Sequence, residues 1–96
     1  MEFRGEGTRD VVMGRDTRAA RLACPVALWV VARLKLDQLA TTSRLENLRV
    51  PPGIRLEALR GNRADQHSIR INDQYRVCFR WDPQAGATEV EIVDYH

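Results

Sequence analysis

Between His67 and Val93 apolar and polar residues alternate with a period of two, and they do so in three separate runs. In His67–Asn72, Ile69 and Ile71 fall on one side and Ser68 and Arg70 on the other. Tyr75–Trp81 directs Tyr75, Val77, Phe79 and Trp81 inward, and Arg76, Cys78 and Arg80 outward. Thr88–Val93 buries Val90 and Ile92 and exposes Glu89 and Glu91. Successive side chains of a strand point to opposite faces, so each run predicts a strand with one apolar face. Asn72-Asp73 and Asp82-Pro83-Gln84-Ala85-Gly86 supply turn residues between the runs, which makes neighbouring strands antiparallel. A further strand, Arg55–Leu59, precedes them, separated by a loop from Gly61-Asn62 to Asp65. A sheet apolar on one face requires a cover.

The cover comes from the first half of the chain. From Val26 to about Ala40 the residues Leu28, Trp29, Ala32, Leu36 and Leu39 recur at helical spacing, and Pro25 fits the first helical position. Gly14-Arg15-Asp16-Thr17 predicts a turn with capping residues, opening a shorter helix through Ala23. Gly5–Met13 reads as a short helix weakened by Gly5 and Gly7, and Met1–Arg4 as an edge strand or a frayed end. Ser43 with Glu46 is a capping-box pattern for Arg44–Leu48, and Val50-Pro51-Pro52-Gly53 is a stiff connector to the sheet. The expectation is one α+β domain over residues 1–96. Residues 1–54 are mainly helical and pack on one face of a small antiparallel sheet formed by 55–96. The other face bears arginines.

Charge adds a direction. Of 15 basic residues only Lys35 is lysine. Arginine grips phosphate with a planar fork that lysine lacks, although GC-rich codon usage also enriches it. From Arg44 to Trp81 there are eight arginines against four acids, so the surplus lies with the sheet, as in a nucleic-acid binder. Cys24 and Cys78 form no CxxC pair and read as buried thiols, with no metal or cofactor expected. Leu22–Ala32 is uncharged but only eleven residues long, too short to span a bilayer. Glu2 and Glu6 occupy the place of a basic signal region, so a cytoplasmic protein is expected.

Two histidines are present. His67 starts a strand after a polar loop and reads as structural or surface; His96 follows Asp94 and Tyr95 at the end of a strand. Asp94, Tyr95 and His96 suit RNA cleavage by attack of the ribose 2′-OH on the adjacent phosphate. That reaction needs a base, an acid for the leaving 5′-oxygen and cations over the phosphate. Arg76 could stabilise the phosphorane charge, and Tyr95 could stack on a base.

Three phrases carry a resemblance: RLEALRGNRADQHSIRINDQYRVCFRW (55–81), VEIVDYH (90–96) and LRVPPG (48–53). Together they resemble the HigB family of bacterial toxins, in the RelE/ParE superfamily. Pro25–Leu48 follows the family in general pattern only, and Glu2, Gly5 and Gly7 interrupt the hydrophobic strand and helix with which the family usually opens. The resemblance implies a metal-independent endoribonuclease that cuts mRNA on translating ribosomes. A helix-turn-helix antitoxin of the HigA type would neutralise it and would carry any contact with operator DNA. By the same resemblance, Asp94, Tyr95 and His96 are catalytic and Arg76 is the transition-state arginine. Arg60 and Arg63 contact RNA phosphate, on a surface that Arg70 and Arg80 extend. Glu57 falls where some members carry a histidine, and is either a base or a surface partner of Arg55 or Arg76. Arg70 and Arg80 could instead be cross-strand partners of Glu89 and Glu91. Two alternatives remain open: a ParE-like toxin that binds a protein such as DNA gyrase, and a non-catalytic relic that binds antitoxin or RNA.

Overall fold

The computed structural model describes residues 1–49 and 55–94. Three α-helices precede four strands: α1 (Glu6–Met13), α2 (Arg18–Ala23), α3 (Trp29–Thr41), then β1 (Glu57–Ala58), β2 (His67–Arg70), β3 (Tyr75–Asp82) and β4 (Gly86–Asp94). The strands form one antiparallel sheet in the order β1-β2-β3-β4. Short 3₁₀ turns at Val26–Leu28, Leu45–Arg49 and Gly61–Arg63 complete the described elements.

Helix ends follow their sequence cues. Gly14 adopts the left-handed conformation, with Gly14 N–H bonded to Val11 O and Arg15 N–H to Asp10 O, the double closure of a Schellman motif. Thr17 then caps α2: its Oγ1 accepts from Ala20 N at 3.1 Å and donates to Asp10 at 2.6 Å. Gly7 does more than weaken α1. A Cβ there would lie 2.5 Å from Ala19 O and 2.9 Å from Ala23 Cβ, so its bareness lets α1 and α2 approach closely. The long apolar run opens in 3₁₀ form after Pro25 and becomes α-helical at Trp29, whose Nε1 donates to Cys24 O at 2.9 Å.

Helices and sheet share one core. Ala32, Leu36 and Leu39 of α3 and Val11 of α1 join Ile69, Val77, Phe79, Val90 and Ile92 of the sheet, all buried. Burying each such large side chain stabilises the fold by about 1.5–3 kcal/mol relative to exposure. Met1–Arg4 supplies a parallel bridge from Phe3 to Val90 along the edge of β4, sealed by Arg4 N→Val90 O and Val90 N→Glu2 O at 2.9 Å each. Within the same edge Thr8 Oγ1 accepts from Ile92 N at 2.9 Å, tying α1 to β4.

The strands depart from expectation at their ends. Only Glu57 and Ala58 of Arg55–Leu59 form the β1 ladder. Strand β2 stops at Arg70 because Asn72 Oδ1 accepts from the backbone of Gln74 and Tyr75, at 2.9 and 2.7 Å. This asparagine closes the turn, in which no glycine follows Asn72-Asp73. Strand β4 is longer than its alternating run, extending from Gly86 through a bulge opposite Phe79, with Glu89 at φ 48. The connector Val50-Pro51-Pro52-Gly53 lies outside the described residues.

Candidate active site

The face of the sheet turned away from the helices is built in rows set by register. Ser68, Cys78 and Glu91 form one row; Arg70, Arg76 and Val93 form the next; Glu57 adjoins Ser68 at the β1 edge. Alternation alone assigns Ser68 and Cys78 to solvent. Both are instead fully buried, because longer side chains roof the small ones. Arg76 reaches over Ser68. Its Nε donates to Ser68 Oγ at 2.7 Å, its Nη2 donates to Arg55 O at 2.7 Å, and its Nη1 lies 3.7 Å from Glu57 Oε1. The Arg76 side chain is 11% exposed and Glu57 57%. One guanidinium is thus held along two directions and presents its remaining corner to a solvated carboxylate.

Arg63 stands beside it. It donates to Gln66 at 3.0 Å and to Glu91 at 3.3 Å, and both ends of that ion pair are about one-third exposed. Burial raises the Cys78 thiol above its ordinary range, Arg63 and Arg76 pull it down, and Glu91 raises it. The thiol is therefore held protonated beneath the cations. Arg60 is exposed at the mouth of the Gly61–Arg63 turn and forms no side-chain ion pair among the described residues.

Arg70 and Arg80 are more occupied. Arg80 pairs with Glu89, one of its two expected partners, and also with Asp65. Arg70 pairs with Asp73 of the adjacent turn rather than with a glutamate of β4. On the opposite, helix-covered face, Asp94 is paired in register with Tyr75 and accepts from Gln74 Nε2 at 3.2 Å. Burial first, and the Asp94 charge second, raise the Tyr75 phenol above its ordinary range. Tyr95 and His96 lie outside the described residues. His67 faces the core side and stacks on Phe79 with ring centroids 6.0 Å apart, consistent with a structural role.

The face therefore brings Glu57, Arg63 and Arg76 together, while Asp94, in register with the inward Tyr75, lies on the opposite face of the sheet from Arg76. Ser68 and Gln74, which hold two of these groups, escaped the reading of the sequence. A serine in an outward position looks like any solvated residue, and a glutamine in a turn carries no chemical signature. Among the described residues no cluster of histidine, cysteine or carboxylate side chains could hold a metal ion, and no helix is long and apolar enough to cross a membrane.

A family model for the RelE-like toxin of the type II toxin–antitoxin system HigB matches residues 15–96. The chain belongs to the HigB-like toxin family. This HigB-like toxin is 47% identical over 47 residues to Toxin HigB-1 of Vibrio cholerae, covering 49% of this chain and 50% of the relative. It is 34% identical over 58 residues to an uncharacterized protein of Haemophilus influenzae, covering 60% of this chain and 57% of that protein. The chain thus spans about half the length of the curated relatives it matches. The helices over one face of an antiparallel sheet are the α+β arrangement expected of a RelE-like toxin.

Proposed function

We propose that this HigB-like toxin is a ribosome-dependent endoribonuclease that cuts mRNA and so arrests translation. The observation that carries the reading is the anchored Arg76 guanidinium, whose Nη1 corner faces an exposed carboxylate that a phosphate can displace. In the proposed reaction Glu57 takes the proton of a ribose 2′-OH and the 2′-oxygen attacks phosphorus. His96, oriented by Asp94, protonates the departing 5′-oxygen. The products are a 2′,3′-cyclic phosphate and a 5′-hydroxyl. Arg76 neutralises charge on the phosphorane as it develops, a contribution worth about 10²–10³ in rate for a well-placed donor. Tyr95 stacks on a neighbouring base, Arg60 and Arg63 bind flanking phosphates, and Arg70 and Arg80 add peripheral positive charge. No step requires a metal or cofactor.

The neutralising antitoxin, a helix-turn-helix protein of the HigA type, is assigned to the opposite face. Val26, Val30 and Leu34 are exposed along one side of the α3 region, while Ala32, Leu36 and Leu39 bury its other side. A helix apolar on both sides is stable in water when a partner covers the second one. Arg18, Arg21, Arg33 and Lys35 outnumber Asp16, which pairs with Arg21, and Asp37 over residues 16–37, a surplus that complements an amphipathic antitoxin helix with acidic flanks. Operator DNA is then reached only through the antitoxin. Val30→Glu with Leu34→Glu is expected to abolish binding of the co-expressed antitoxin while mRNA cutting persists; retained binding contradicts the assignment.

The test of activity is addition of purified toxin to a translation extract, followed by mapping of mRNA ends. Cuts confined to translated message support the reading. Intact message with inhibited supercoiling would favour a gyrase-directed toxin, and intact message with normal supercoiling a relic.

A further inference from the structure

We infer that Ser68 is a positioning residue for catalysis, acting through Arg76; this rests on the reading of Arg76 as the phosphate-binding group. An arginine side chain has several freely rotating bonds, and a mobile guanidinium reorganises as charge develops, whereas a preorganised one does not. Three features of this face remove that freedom. Ser68 Oγ fixes Nε at 2.7 Å. The Arg55 carbonyl, on a residue held in the left-handed region at φ 49, fixes Nη2 at 2.7 Å. Cys78, the cross-strand partner of Ser68, is small and fully covered, so the arginine stem can lie across the sheet.

A role in stability alone would not need this asymmetry. Both short contacts fall on groups that carry no charge, and the Glu57 carboxylate stands at 3.7 Å, an ion pair beyond hydrogen-bond length. The charge of Arg76 is therefore countered by a solvent-exposed carboxylate that can move away, while its orientation is fixed by the uncharged contacts. Ser68 is itself fully buried on β2, between β1 and β3, so the anchor does not move with the surface. Water cannot replace its hydroxyl without opening the roof. The serine thus converts a flexible cation into a fixed one, with its Nη1 corner turned toward the exposed edge.

The test is a double-mutant cycle on the full chain, reading the first-order rate of mRNA cleavage at saturating toxin in a translation extract. Alongside it, the Arg76 Nε–H resonance is followed by ¹H–¹⁵N NMR. Ser68→Ala is expected to slow cleavage about tenfold or more and to shift or broaden that resonance. It is expected to cause no further loss in an Arg76→Ala background. Ser68→Cys, which fills the same space with a weaker acceptor, is expected to fall between, and it carries the same comparison if Ser68→Ala does not fold. Wild-type cutting by the Ser68 variants while Arg76→Ala is inactive overturns the inference and leaves the proposed nuclease intact. A Ser68 loss that adds fully to that of Arg76→Ala also overturns it, since the serine would then act independently of the arginine. Wild-type cutting by Arg76→Ala overturns the reading of Arg76 itself and the inference with it.

Discussion

Arg63 and Glu91, 28 positions apart in the chain, meet at 3.3 Å and tie the Gly61–Arg63 turn to β4. The pair places an anion inside a cationic face, where it competes with any phosphate for the same guanidinium. Glu91→Gln should therefore strengthen binding to single-stranded RNA and steepen its salt dependence. Arg63→Ala should weaken binding and flatten the dependence by about 0.7 in the log–log slope, the value for one lost phosphate contact. Filter binding across a salt series measures both. Unchanged slopes in both variants would remove Arg63 from the RNA surface.

Gly7→Ala opposes two effects of known size. Helix propensity favours the alanine by about 0.8–1 kcal/mol. Against that, the new Cβ meets backbone at 2.5 Å, and forcing volume into packed structure costs about 1–3 kcal/mol. The contact should win, giving a net loss of stability in urea denaturation. A gain would mean that α2 can shift away from α1 at little cost.

Thr8 is buried inside α1, and its hydroxyl accepts from Ile92 N at the edge of the sheet. Thr8→Val keeps the shape and removes the acceptor, leaving a backbone donor unpaired. A loss of about 1–3 kcal/mol is expected, with faster hydrogen exchange at the Ile92 amide. Exchange as slow as in the wild type would show that the bond does not secure this edge.

Burial raises the thiols of Cys24 and Cys78, and burial aided by Asp94 raises the phenol of Tyr75. A folded-state value above the unfolded one means that the stabilising contribution is complete below the ordinary thiol value of 9.0. It is lost as pH rises from there through the raised folded values. Stability should therefore fall on the alkaline side, and a Cys24→Ala, Cys78→Ala protein should show a shallower fall. Native protein near neutral pH should react with a thiol reagent only at the rate of its unfolding. Rapid labelling of either thiol would contradict the burial.

Much of the fold could be read from the residues, because a period of two survives wherever one strand face is buried. Ile69, Val77 and Ile92 announce the core side of the sheet, and Leu36 and Leu39 the helix that covers it. The outer face was legible only in part. The resemblance marks Arg76 and Glu57 as catalytic candidates and Arg63 as an RNA contact without placing them side by side, and alternation carries no information about which outward residues are roofed by their neighbours. Alternation therefore turns both Ser68 and Cys78 outward, and of the two only Cys78 is expected to be buried. The pairing of Arg70 with Asp73 was equally hidden, since it depends on where the asparagine turn at Asn72 delivers the next aspartate. Gly7 read as a helix defect because a close approach between two helices leaves no periodic trace in either.

The central claim is that a fixed Arg76 guanidinium on the outer face of the sheet supports cleavage of a translated message. The most direct measurement is the mapping of mRNA 5′ ends in a translation extract given equal amounts of folded wild-type and Arg76→Ala toxin. The expected result is discrete new 5′-hydroxyl ends with the wild type and a reduction of at least about 10²-fold with the variant. Equal cutting by both proteins, or no cutting of translated message by the wild type, would contradict it.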